Sequence, residues 1–246
     1  MMKQVFEELK DGLIVSCQSE GEDPFNSPEG VTLFARAAEM GGAKGIRSEG
    51  ITKTKSILAN VKIPVIGLIK SQFEDGLVRI TGSFKDFESL LEIGCHIIAV
   101  DGTFRKREGL KGPEFINHLK KKYNAIIMAD IATFEEAIAC VESGADCVST
   151  TLSGYTPDTK HLNTDKPDFE LLKRLVKNLN VPVFAEGRYN TPELCAEAIK
   201  IGAWSVVVGT AITRPRIVTG WFVSAIESAA MEKRTNNDNS EEFYEE

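Results

Sequence analysis

At 246 residues with 42% apolar side chains, the chain carries enough apolar material to bury a sizeable core, which excludes a disordered or fibrous protein. Its formal net charge of -7, with no long run of Lys or Arg, argues against nonspecific binding to nucleic acid or to an acidic membrane and leaves a small phosphate-bearing ligand open. Five cysteines (Cys17, Cys95, Cys140, Cys147, Cys195) form no C-x-x-C pair and sit mostly within apolar runs, and no stretch has the length of a membrane span, so a cytoplasmic protein is expected.

Along the chain, residues 12–18 read as a first buried strand, and Ser27-Pro28-Glu29 opens a helix with proline in its first turn. Next comes E-M-G-G-A-K-G-I-R, a pattern that returns as L-E-I-G-C-H-I-I-A-V-D, V-E-S-G-A-D-C-V-S-T and I-K-I-G-A-W-S-V-V-V-G-T at intervals of roughly 50 to 60 residues. Each copy is a helix end, a glycine suited to the left-handed position after it, and a β-branched strand. Strands at 64–70, 125–130 and 182–186 interleave with these copies, and helical stretches are expected at 52–60, 84–91, 114–122, 168–178 and 214–231. Thr133 with Glu135 and Glu136, and Thr191-Pro192-Glu193, open two more helices.

Strand then helix, eight times, predicts a parallel sheet with right-handed crossovers, at the length of a closed (β/α)8 TIM barrel. A doubly wound open sheet is the alternative, disfavoured because no G-x-G-x-x-G turn follows the first strand. The barrel, with a short N-terminal helix, is expected to span 1–231, and the polar 232–246 to form a frayed acidic tail.

In such a barrel the C-terminal strand ends share one face, which holds the active site. Here they fall on Gln18, Arg47, Lys70, Asp101, Asp130, Thr150 with Thr151, Glu186 with Arg188, and Gly209 with Thr210, a polar cup over an apolar floor. Lys70 ends the apolar run P-V-I-G-L-I-K. An ammonium carried into an apolar setting loses hydration, which favours the neutral amine, a base or a nucleophile; the alternative is a lysine that snorkels to the surface. Period two turns Lys70 inward with Leu68 and Ile66, and Glu186 inward with Phe184, leaving Ala185 against the helices. An amine and a carboxylate on opposed strands suit proton transfer at two faces of a carbon, although a structural ion pair is the other reading of Glu186.

V-V-V-G-T-A-I-T-R-P, beside Glu186-Gly187-Arg188, reads as a phosphate cradle, because the loops after the seventh and eighth strands bind phosphate in barrels of this kind. The hydroxyl-rich 150–156 segment suits a lid over a polyol, and Asp130 a contact to sugar hydroxyls or to Lys70. Cys17 lacks a histidine at a strand end to activate it, and the three histidines suggest no metal site.

Taken together and in order, P-V-I-G-L-I-K, M-A-D-I-A-T, S-T-T-L-S-G-Y-T, F-A-E-G-R-Y-N-T-P-E and V-V-V-G-T-A-I-T-R-P closely resemble the bacterial N-acetylmannosamine-6-phosphate 2-epimerases, over about residues 12–222. The resemblance implies a barrel of the ribulose-phosphate-binding type. It also implies conversion of N-acetylmannosamine 6-phosphate to N-acetylglucosamine 6-phosphate in sialic acid breakdown, without metal or other cofactor. The family's catalytic lysine and glutamate fall on Lys70 and Glu186. Its substrate-contacting glutamine, arginine and aspartate fall on Gln18, Arg47 and Asp130, with the phosphate near Gly187, Gly209 and Thr210 and a further arginine at Arg214. The family's I-T-P-T reads Ile80-Thr81-Gly82-Ser83 here, and its D-x-T-x-R-x-R-P ends at Glu108, with Arg105 and Arg107 kept.

The expected partner is thus a phosphorylated N-acetyl amino sugar, with Thr150 and Thr151 lending further substrate contacts and Arg188 a further contact to the phosphate. A Schiff base at Lys70 and a catalytically silent sugar-phosphate sensor are the rival readings. Trp221, Phe222, Val223 and Ile226 on the last helix give more apolar surface than one barrel helix uses, and predict a homodimer through it.

Overall fold

The computed structural model describes residues 2–162 and 165–241. In chain order its strands are β1 (Gly12–Cys17), β2 (Gly45–Glu49), β3 (Val65–Leu68), β4 (Lys70–Gln72), β5 (Val78–Ile80), β6 (Ile97–Asp101), β7 (Ile127–Asp130), β8 (Cys147–Ser149), β9 (Val183–Glu186) and β10 (Ser205–Val208). Strands β4 and β5 pair only with each other, antiparallel; the other eight close a parallel barrel, with β10 returning to β1. This is the (β/α)8 barrel expected from the alternation of elements, with one addition. The apolar run that reads as a single strand over 64–70 stops at Leu68, and Lys70 begins a hairpin standing on the mouth.

Helices α2 (Pro28–Met40), α3 (Ile51–Leu58), α4 (Phe84–Glu92), α5 (Gly112–Lys122), α6 (Phe134–Glu142), α7 (Phe169–Asn178) and α8 (Pro192–Ile201) alternate with the barrel strands. Their starts are set by side chains that accept otherwise unpaired amides: Ser27 from Gly30, Ser83 from Asp86, Thr133 from Glu136 and Thr191 from Leu194. In the four repeated segments the glycines Gly42, Gly94, Gly144 and Gly202 all have positive φ, between 84° and 110°, so the repeat in the sequence is a repeat of one helix-ending turn.

Alternation along the strands separates two apolar layers. Ile14, Ile66, Leu68, Ile97, Ala99, Met128, Cys147, Phe184 and Val207 fill the barrel interior, and Val5, Phe6 and Leu9 of α1 (Met2–Leu9) plug its N-terminal end. Ile98, Val100, Ala129, Val148, Ala185, Val206 and Val208 face the helices. Cys17 is also on the outer side, packed with Val31 and Ala35 of α2, and burial pushes its thiol up to about 12.

The last helix departs from the barrel pattern. After the single turn α9 (Thr210–Thr213), α10 runs Pro215–Glu241, and every side chain over 219–234 is exposed. The backbone remains helical through Glu241 where a frayed tail from residue 232 is expected, since the polar 232–241 sequence contains neither Gly nor Pro to stop it; 242–246 lie outside the described residues. Among the described residues no helix is long and apolar enough to cross a membrane.

Gly67 marks a close approach of β3 to α4 and the turn after it, because a Cβ there would lie 2.3 Å from Cys95 Sγ and 3.0 Å from Leu90 Cδ2. Gly67→Ala is expected to cost about 1–3 kcal/mol by overpacking, read as a lower urea midpoint, and Cys95→Ala in the same chain should recover part of it. An unchanged midpoint in the single variant would contradict this packing.

Candidate functional site

A cavity of about 280 Å³ opens where the barrel strands end. Leu68, Ile80 and Val207 form its apolar floor, and its wall carries Ser16, Gln18, Arg47, Lys70, Thr151, Tyr155, Glu186, Gly187, Arg188, Gly209, Thr210 and Arg214. Ten of the twelve residues expected to carry chemistry or bind the ligand line this one space; Asp130 and Thr150 do not.

The deepest charge is Arg47, which projects inward from β2 and is fully buried. Its Nη2 donates to Asp130 Oδ2 at 2.5 Å and Nη1 to Asp130 Oδ1 at 3.1 Å, a two-pronged pair spanning the barrel from β2 to β7. Nη1 also lies 3.2 Å from Glu186 Oε2 on β9. Burial works against the guanidinium's charge, but the two carboxylates outweigh it and hold the pKa above its ordinary value. Burial pushes the Asp130 carboxyl up to about 6, with Arg47 and Thr151 pulling the other way. Asp130 therefore holds Arg47, beneath the cavity wall, instead of touching Lys70 or facing the space where a ligand would sit.

Glu186 is fixed through one oxygen. Its Oε2 accepts from Thr151 Oγ1 at 2.9 Å and from Ser149 Oγ at 3.3 Å, besides its pairing with Arg47. Among the described residues no hydrogen bond forms to Oε1. Thr151 Oγ1 also meets Asp130 Oδ1 at 2.8 Å, so one hydroxyl bridges both carboxylates. Thr150 acts on the backbone: its Oγ1 donates to Glu186 O at 2.8 Å and accepts from Glu186 N at 3.0 Å, clamping the end of β9.

Lys70 sits at the rim. Its side chain is 30% exposed, and its Nζ is hydrogen-bonded to Glu20, so neither Arg47 nor Glu186 is the immediate neighbour. The hairpin that carries it is stitched at its base, where Thr81 N donates to Ile69 O at 2.6 Å and Ile69 N to Thr81 Oγ1 at 3.2 Å. Ser71 Oγ donates to Asp86 at 3.0 Å and Arg105 Nη1 to Val78 O at 3.3 Å, tying both hairpin strands to the body. Asp101, expected among the mouth residues, instead accepts from Arg105 at 2.6 Å and from the buried Arg107 at 2.7 Å, holding the loop after β6.

On the opposite rim, Gly187 has φ 107°, a conformation open to glycine, and Arg188 follows at φ 64°. This turn sends the Arg188 guanidinium to Lys166 O at 2.7 Å and Ser153 O at 3.0 Å, with the Tyr155 ring 5.3 Å away. Arg188 thus pins the segment that covers the cavity from β8. Gln18 Nε2 donates to Ser16 Oγ at 2.9 Å, which leaves its amide oxygen for the cavity.

The residue that sequence reasoning passes over is Glu20, two places beyond Gln18 in a polar loop. Burial opposes its charge, but Lys70, then Arg214 and Lys53, more than offset this and hold the carboxyl below its ordinary value. No periodicity marks it; only its position just past a strand end does. Among the described residues no three His, Cys, Asp or Glu side chains converge as metal ligands.

Residues 31–228 match the model of a protein family described as "Putative N-acetylmannosamine-6-phosphate epimerase". A protein of Clostridioides difficile (strain 630), named "Putative N-acetylmannosamine-6-phosphate 2-epimerase", is 46% identical over 226 residues, which are 91% of this chain and 99% of that protein. Another of that name, from Caldanaerobacter subterraneus subsp. tengcongensis, is 44% identical over 239 residues, 96% of this chain and 98% of its own length. The solved structure of the N-acetylmannosamine-6-phosphate 2-epimerase from Clostridium perfringens matches with a TM-score of 0.84 at 42% identity, covering 89% of this chain and 95% of that one.

The buried pair has a pH signature. Because burial raises the Asp130 carboxyl above its unfolded value, the stability its protonated form contributes is complete below about pH 4 and is lost as pH rises through about 6. Arg47→Leu leaves that carboxylate uncompensated, so the variant is expected to lose about 3–5 kcal/mol at pH 8 and clearly less at pH 5 in urea titrations. Equal losses at the two pH values would contradict the account.

Proposed function

The chain belongs to the N-acetylmannosamine-6-phosphate epimerase family, and on that premise we propose that it inverts C2 of N-acetylmannosamine 6-phosphate to give N-acetylglucosamine 6-phosphate by proton abstraction, as a step of sialic acid breakdown. The observation that carries the mechanism is the convergence of Lys70, the Arg47–Glu186 pair and Arg214 on one cavity.

The phosphate lies against the backbone of Gly187, Gly209 and Thr210, with Arg214 as its cation, where the loops after the last two barrel strands meet. Arg188 borders this side and keeps the covering segment in place. Gln18 and Thr151 meet the sugar, while Asp130 and Thr150 act through Arg47 and Glu186. In the open-chain sugar the C1 aldehyde acidifies the hydrogen on C2. Lys70 takes that proton as the C2–H electron pair moves into the C1–C2 bond and the carbonyl pair onto O1. The resulting enolate oxygen is stabilised by the charge of Arg47, which is held in place and needs no reorganisation. Glu186, fixed through Oε2, takes the O1 hydroxyl proton on Oε1 as the ring opens and gives it back on closure; at C2 a solvent-derived proton is delivered to the opposite face as the O1 pair re-forms the carbonyl, and Lys70 releases the abstracted proton to water.

Polar residues of the cavity rim thus divide between chemistry and anchoring of the phosphate. We propose further that two chains pair through α10. Trp221 at 43% exposure, Phe222 at 67%, Ile226 at 68% and Met231 at 71% form apolar surface on a helix that its own barrel leaves uncovered, which supports this reading.

Lys70→Ala is expected to lower kcat/KM for epimerisation about 10²–10⁴-fold, the usual contribution of a positioned base, with KM little changed; near wild-type turnover would overturn the assignment. In solution scattering at micromolar concentration the protein should have twice the mass of its chain, and Phe222→Asp with Ile226→Asp should halve it. A monomeric mass for the unaltered protein would remove the dimer.

A further inference from the structure

We propose that Glu20 makes the site selective for a phosphorylated sugar: its carboxylate bridges Lys70 and Arg214 and is displaced from both when a phosphate dianion takes Arg214. The inference rests on the assignment of Lys70 as base and of Arg214 as phosphate partner.

One oxygen makes the bridge. Glu20 Oε1 is hydrogen-bonded to Lys70 Nζ and lies 3.8 Å from Arg214 Nη2, so a single atom joins the hairpin side of the mouth to the phosphate side. Among the described residues these are the only side chains its carboxylate pairs with. The loop that presents Glu20 is braced independently: Lys53 Nζ donates to Ser19 O at 2.8 Å, Asn26 Nδ2 to Gly21 O at 2.8 Å, and Phe25 N to Asp23 Oδ1 at 2.9 Å. These bonds fix the backbone and leave the carboxylate to swing.

The bridge is built to be exchanged. The side chains of Lys70, Glu20 and Arg214 are 30%, 47% and 30% exposed, so water and salt screen their attraction. A phosphate monoester offers Arg214 up to two charges and three acceptor oxygens against one carboxylate oxygen at 3.8 Å, and its charge repels Glu20. While Glu20 holds Lys70, the lysine nitrogen is engaged by a carboxylate and is not directed at C2–H. Phosphate binding far from C2 would therefore free the base, and a sugar without phosphate would leave Glu20 in place. Binding energy from a non-reacting group is spent in this way on the reacting centre.

The test compares N-acetylmannosamine with its 6-phosphate, for the unaltered protein and Glu20→Gln, with and without inorganic phosphite as a detached dianion. Phosphite is expected to raise kcat/KM of the unaltered protein on the free sugar about fivefold, the scale of a half-exposed ion pair. Glu20→Gln should show about that increase without phosphite, a smaller phosphite response, and a preference for the phosphorylated sugar about fivefold lower. An unchanged preference and phosphite response in Glu20→Gln would overturn the proposal, as would an equal loss of rate on both sugars, which marks Glu20 as a plain support for Lys70. If the unaltered protein fails to turn over the 6-phosphate at all, the functional reading falls and this proposal with it.

Discussion

A guanidinium buried inside a barrel has to be neutralised, because an unpaired ion out of water costs several kcal/mol even after relaxation. Arg47, on β2, imposes that requirement on β7, β8 and β9. Asp130 on β7 and Glu186 on β9 supply the charges, and Ser149 at the end of β8 and Thr151 just beyond it supply hydroxyls that meet the same carboxylate oxygens as Arg47 Nη1. The layer below is apolar, built from Leu68, Met128, Phe184 and Val207, so the polar network is held in a medium of low dielectric where its bonds are strong and its geometry is well determined. The orientation of Glu186 follows from this. With three contacts on Oε2, the side chain presents its other oxygen in the same way each time a ligand arrives.

The other half of the site is supported differently. Lys70 belongs to a two-stranded hairpin on the rim, and its placement depends on the residues that tie that hairpin down. Thr81 takes φ 47°, an unfavourable conformation for a β-branched residue, and keeps it because both its amide and its hydroxyl bind Ile69. The positions where the chain departs from the motifs expected from the resemblance are compensated locally. A Cβ on Gly82 would lie 2.5 Å from the Phe73 ring, so that ring fills the space a side chain would need, and Glu108 accepts the amide of Phe84 at 3.1 Å at the start of α4. Loop order here comes from packing and a carboxylate cap in place of proline.

Much of this was legible in the sequence because it is local or periodic. The helix-ending glycines, the capping residues and the inward face of each strand are written in short-range pattern, and they place Lys70, Arg47, Glu186 and Gly209 at one mouth. What escaped depends on which strand ends touch across the barrel. Asp130 and Thr150 read as ligand contacts from their positions, yet register and barrel closure direct one to Arg47 and the other to the backbone of Glu186. The hairpin was hidden because its first strand continues an apolar run with only Ile69 between them. Glu20 was hidden because its significance lies wholly in Lys70 and Arg214, 50 and 194 positions away. The exposure of α10 was foreshadowed by its apolar residues, since a helix that its own barrel covers would not leave Phe222 and Ile226 in water.

The central claim is that this cavity moves a proton at C2. Proton NMR of N-acetylmannosamine 6-phosphate incubated with the protein in deuterated water reads conversion and exchange together. The N-acetylglucosamine 6-phosphate formed is expected to carry deuterium at C2, and the remaining substrate to acquire it as equilibrium is approached. Conversion that delivers the original C2 hydrogen undiluted into the product would contradict that claim.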